Sequence, residues 1–69
     1  MIDWTSREIE AFDDRGVFIG RAREFADFTG RWGVIVRDAL TIVPSKEDAE
    51  EYLRRGHGAK VVRDAQGIK

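Results

Sequence analysis

Cysteine is absent from this chain, which excludes a disulfide framework and any thiolate-bound metal. Histidine occurs once, at His57, so a multi-histidine metal site has too few ligands. Carboxylates remain, but they fall in no ordered ligand spacing, and no metal or cofactor is expected. Neither sign of charge is in excess. Twelve basic and 13 acidic side chains leave a formal net charge of −1, without the basic footprint of most nucleic-acid binders. No apolar run approaches the ~20 residues of a membrane span. Met1-Ile2-Asp3-Trp4 lacks the basic start and apolar stretch of a secretory signal. The expected location is therefore the cytoplasm or the inside of a larger particle, with no membrane contact.

What is present suits one small domain spanning all 69 residues. A domain of this size buries roughly 60% of the surface its unfolded chain exposes, so its margin of stability is thin. Small domains are commonly held by a disulfide, a metal or a partner chain. With the first two excluded, the expected staple is another protein or a copy of the same chain.

The second half carries the sharper local signals. Ser45 can cap the free amides of a helix whose first turn holds Glu47 and Asp48, suited to the positive end of the helix dipole. Ala49, Tyr52 and Leu53 fall at i, i+3 and i+4 and form an apolar stripe. Glu50–Arg54 and Glu51–Arg55 are i,i+4 pairs in the favourable order, and Gly56 reads as the stop. The pattern predicts a helix over about 45–55. Strands are predicted at Trp32–Val36 and Leu40–Val43, with Arg37-Asp38-Ala39 either a tight connection between them or the middle of one long strand, and at Ala59–Arg63, with a turn over Asp64–Gly67.

In the first half, Glu8–Phe12 and Val17–Ile19 flank Asp13-Asp14-Arg15-Gly16 and predict a β-hairpin, with Gly16 supplying a positive φ. Thr5-Ser6-Arg7-Glu8 is a competing capping box, with Trp4 and Ile9 as its hydrophobic staple. Ala22, Phe25 and Ala26 at helical spacing before Gly30 indicate a second short helix at about 21–29, or else a third strand. The expected fold is α+β: a small antiparallel sheet of four to five short strands with the 45–55 helix packed on one face.

Chemistry finds little purchase. Asp13-Asp14 is a pair of carboxylates, but in a turn rather than a cleft. His57 has no neighbouring nucleophile in sequence, and the two serines stand at Ser6 and Ser45. The chain is read as a non-enzyme, with no catalytic residue assigned. Arg54, Arg55 and His57, set among Gly56 and Gly58, form a secondary candidate for an anion site. Against it stands their place at a helix C-terminus, where the dipole disfavours anions. The segment Ile42–Arg55 resembles the strand–Ser-Lys–helix junction of the arm-type DNA-binding domains of tyrosine recombinases. This chain departs from that pattern in its balanced charge, and no functional residue is carried over.

The aromatic set is Trp4, Phe12, Phe18, Phe25, Phe28, Trp32 and Tyr52. One face of one small sheet cannot bury all of them. Phe18, Phe28 and Trp32, beside Arg21, Arg23 and Arg31, are the candidates for a partner-binding surface, since aromatics and Arg dominate interface hot spots, with an anchor in the core between sheet and helix as the alternative for Trp32. The alternative is a second small cluster covered by the N-terminal segment. The expected function is a non-enzymatic protein-binding module, of the kind used as small inhibitors or phage-accessory assembly components. Two rival readings are a nucleic-acid module using Arg and aromatics on a sheet face, and a self-assembling subunit that adds strands edge to edge.

Overall fold

Hydrophobic alternation resolves into five strands in the computed structural model, which describes residues 4–65. They are β1 (Trp4–Phe12), β2 (Phe18–Phe25), β3 (Trp32–Val36), β4 (Ala39–Val43) and β5 (Val61–Asp64). All neighbours pair antiparallel in the spatial order β4-β3-β2-β1-β5. Between β4 and β5 the chain forms α1 (Lys46–Glu51), which continues into a wider π-type turn at Tyr52–Gly56. The architecture is the expected one, a small antiparallel sheet with a single helix packed on it.

Register explains the core. Ile9 stands opposite Ala22, Ala22 opposite Val34, and Val34 opposite Thr41, so one row crosses four strands on one face. Ala11 lies along the same face. Ile9, Ala11, Ala22 and Val34, with Trp32, bury against Ala49, Leu53 and Ala59 in a single cluster. The small residues Ala11, Ala22 and Ala49 let the helix and sheet approach closely, while Ile9, Val34 and Leu53 fill the remaining volume. Tyr52 reaches from the helix to β4, its hydroxyl 3.4 Å from that of Thr41.

The turns follow side-chain chemistry. Asp13 Oδ1 accepts hydrogen bonds from the amides of Arg15 and Val17, and Gly16 adopts φ 80°, closing the β1–β2 hairpin. The competing helix start at Thr5 does not form, because the segment is drawn into β1, which pairs with β2 from Trp4 to Phe12 and with β5 from Ile9 to Phe12. Ser45 caps α1 through a bond from the Asp48 amide.

Three expectations are corrected. The second helix at 21–29 gives way to its alternative, a strand: the segment is the central strand β2 as far as Phe25, then a loop. Its helical spacing loses to pairing with β1 and β3, in which Gly20 and Ala22 face the core and Arg21 faces out. The helix stop is Gly58 rather than Gly56. Gly58 holds φ 74°, and its amide bonds to the carbonyl of Arg54 while that of Ala59 bonds to Leu53. Of the two i,i+4 pairs, only Glu51–Arg55 closes, at 3.2 Å. The turn expected at Asp64–Gly67 lies partly outside the described residues.

Candidate functional site

The β2–β3 loop carries the most unusual residue of the surface. Phe28 is fully exposed, and its backbone lies in the left-handed region at φ 63°. That conformation costs a bulky L-residue of order 1–2 kcal/mol. Here no packing of the ring offsets the cost. The loop around it is nevertheless tightly held. Asp27 Oδ1 accepts from the Thr29 hydroxyl at 2.6 Å and from the Thr29 amide at 3.2 Å. Arg31 donates to Asp27 Oδ2 at 2.8 Å and to the Thr29 hydroxyl at 3.1 Å. The Thr29 hydroxyl, followed by the Arg31 guanidinium, holds the Asp27 carboxyl at about 2, below its ordinary 3.8. The Phe25 amide, bonded to the Arg31 carbonyl, closes the base of the loop.

Beneath the loop, Arg31 lies 5.4 Å over the Phe25 ring, and Phe25 stacks on Trp4 at 4.8 Å. Trp4 in turn lies against Gly33, where a side chain would collide with the indole edge. This is the second small cluster, covered by the N-terminal strand, on the face of the sheet away from the helix. On the same face Glu8 stands opposite Arg23, and Glu10 opposite both Arg21 and Arg63. Arg23 Nε is 3.3 Å from Glu8, within ion-pair range but outside hydrogen-bond geometry, while its Nη2 donates to the Thr5 carbonyl. Arg63 covers the Phe12 ring at 4.6 Å. Leu40 and Ile42 project on this face and are about half exposed.

The structure divides the residues singled out by sequence. Trp32 is 2% exposed and belongs to the helix-side core, so its assignment to a partner surface is corrected in favour of the alternative, a core anchor: β3 alternation turns its ring toward the helix. Phe18 and Phe28 are both exposed, yet Phe18 opens β2 and Phe28 lies in the loop beyond its other end, so they form no common patch. Arg21 is exposed at mid-strand, Arg23 is tied to Glu8 and Thr5, and Arg31 braces the Phe28 loop. Arg54, Arg55 and His57 are not assembled into one anion cradle. Arg54 donates to the Lys60 carbonyl, Arg55 pairs with Glu51, and His57 packs edge-on against Tyr52. The sequence reading missed the brace of Asp27 and Thr29, whose Asp-x-Thr spacing is a local turn signal. It also missed the exposed edge of β4.

An open cleft of about 1000 Å³ is lined by Phe18, Ile19, Val36, Arg37, Tyr52 and His57 among others. Among the described residues no polar side chain is buried, and no group of three or more His, Asp or Glu could hold a metal ion. No helix among them is long and apolar enough to cross a membrane. Compared with known proteins, the chain matches no family model, no curated protein and no solved structure, so the likeness of Ile42–Arg55 to recombinase domains carries no assignment.

Proposed function

We propose that the chain is a non-enzymatic protein-binding module whose contact is centred on the β2–β3 loop, with Phe28 as the anchor. The observation that carries this reading is Phe28 itself: a large apolar ring, fully exposed, kept in a strained backbone conformation by a braced loop. Strain of this kind marks positions where the conformation serves a contact rather than stability. Burying a phenylalanine side chain gains about 1.5–3 kcal/mol, and an ordered loop loses little further entropy on binding. The Asp27–Arg31 pair is neutral as a unit, so the loop suits an apolar pocket with a polar rim.

The test is capture of a partner from the source lysate by the native chain and by Phe28→Ala, with melting temperature measured on both. The expected result is a captured protein that survives nuclease treatment and is lost with Phe28→Ala at unchanged stability. Truncation of such an anchor costs ~2 kcal/mol or more of binding. Equal capture by the variant would remove Phe28 from the contact. Capture that vanishes with nuclease and weakens steeply with salt would instead favour the nucleic-acid reading, through Arg21, Arg23 and Arg63.

A further inference from the structure

We propose that the free edge of β4 is a self-association edge, on which a second copy of this chain pairs antiparallel about a two-fold axis at Thr41. Val36 and Ala39 pair across a turn of only two residues, Arg37 and Asp38. Two residues leave room for only one arrangement, in which Val36 and Ala39 exchange their backbone bonds. Alternation then directs the backbone groups of Ala39, Thr41 and Val43 toward β3. Those of Leu40 and Ile42 point away from the sheet, where β4 has no neighbouring strand among the described residues.

The edge is self-complementary. With the axis at Thr41, Leu40 of one copy stands opposite Ile42 of the other, and the reverse. Each such pair exchanges both of its backbone hydrogen bonds, so every outward group of Leu40 and Ile42 finds a partner. The half-exposed Leu40 and Ile42 side chains meet across the seam as apolar cross-strand pairs. Pro44, which has no amide to donate, ends the pairing.

Charge points to the same occupant. Ala39-Leu40-Thr41-Ile42-Val43 contains no ionisable side chain, so two copies meet without like-charge repulsion. The other edge, β5, is shorter and carries Arg63 and Asp64, the kind of charge that discourages pairing. A five-residue edge buries well under the ~1,600 Å² of a standard stable interface, so the dimer is a weak one that forms at high concentration. It would be a ten-stranded sheet in which each Phe28 loop joins the second and third strands from the seam.

Sedimentation of the native chain from micromolar to millimolar concentration is expected to show a monomer–dimer equilibrium. Ile42→Lys is expected to weaken it by roughly tenfold or more, through loss of the apolar cross-strand pairs, with the circular dichroism spectrum unchanged. A native chain that stays monomeric throughout overturns the proposal, as does a folded Ile42→Lys that dimerises like the native chain. Should Ile42→Lys fail to fold, the register is read by cross-linking, which is clean because the chain has no cysteine. Thr41→Cys is expected to form a covalent dimer, and Leu40→Cys mixed with Ile42→Cys a covalent heterodimer. Absence of both overturns the proposal. Phe28→Ala is expected to leave the equilibrium untouched, which keeps this edge distinct from the proposed partner loop.

Discussion

On the face beneath the helix, Ile9, Ala22 and Val34 stand in register across β1, β2 and β3 and share one buried cluster with Leu53. One residue away along the same strands, on the opposite face, the corresponding row is Glu8, Arg23 and Gly33, ending at Ile42 of β4. The first row is held by removal of apolar surface from water, worth about 1.5–3 kcal/mol for each large side chain. The second is held by ion pairs and by Arg groups over aromatic rings, and exposed ion pairs contribute only ~0–1 kcal/mol each. Stability is thus concentrated on one face. The open face, its β4 edge and the Phe28 loop can be varied for contact at small cost to the fold.

The most severe way to probe this asymmetry is to remove one side chain from each face. Leu53 is fully buried, so Leu53→Ala is expected to cost about 2–5 kcal/mol, a large part of a small domain's stability. Leu40→Ala, on the open face, and Glu50→Ala, on the helix, are each expected to cost less than ~1 kcal/mol. Denaturant unfolding of the three variants decides it. Comparable losses would mean that the open face carries core energy as well.

A finer comparison uses one glycine on each face. A Cβ at Gly20, on the covered side, would come within 2.6 Å of the Ile35 carbonyl oxygen, which is fixed in the ladder. At Gly33, on the open side, it would meet the edge of the Trp4 ring at 2.8 Å, and the ring can swing toward solvent. Gly20→Ala is expected to cost ~1–3 kcal/mol, as overpacking does, and Gly33→Ala less. A reversed order of melting temperatures would place Trp4 among the main supports of the fold.

The smaller effects run in the stabilising direction. Phe28 and Arg37 both hold positive φ without being glycine. Asn tolerates the left-handed region, so Phe28→Asn is expected to raise stability by ~0.5–1 kcal/mol while abolishing partner capture. Arg37→Gly is expected to give a similar gain with capture intact. Thermal melts paired with the capture assay separate the two, and a destabilised Phe28→Asn would show that the ring supports the fold after all.

Much of this molecule is legible in its sequence where the signal is local. Ser45 as cap, Asp13 and Gly16 as turn, and the Ala49–Leu53 stripe are each decided within a few residues. What fails to show is decided at long range. Ala22, Phe25 and Ala26 carry a helical spacing, yet β2 lies between two strands, and pairing on both sides overrides it. Gly56 looks like the stop, but the wide final turn carries the helix on to Gly58. Trp32 is assigned outward because alternation alone does not say which side the helix covers. The Phe28 loop is half visible: exposure of the ring follows from a surplus of aromatics, whereas the left-handed backbone follows from a hydrogen-bond network spanning Asp27 to Arg31.

Acid offers the gentlest test of the asymmetry, because it acts on charge and leaves the apolar cluster alone. Asp27 is held below its ordinary carboxyl value first by the Thr29 hydroxyl and then by Arg31, down to about 2. A depressed carboxyl stabilises the folded arrangement while ionised. Its contribution is therefore complete above the ordinary value of 3.8 and is lost as pH falls through about 2. Protonation turns an acceptor of several hydrogen bonds into a neutral acid and releases the Arg31 guanidinium. The expected result is that the Thr29 amide, followed by NMR hydrogen exchange, loses protection across that window, while the amides of Ala22 and Val34 at the sheet centre stay protected. Salt should blunt the effect, since the pair is exposed to solvent. Asp27→Asn should leave the Thr29 amide insensitive to acid and equally loose at neutral pH. If Thr29 keeps its protection down to about 2, or if Asp27→Asn behaves like the native chain, the brace is not what holds Phe28 in place. The loop would then owe its shape to Arg31 over Phe25 and to the stacked Trp4 beneath it.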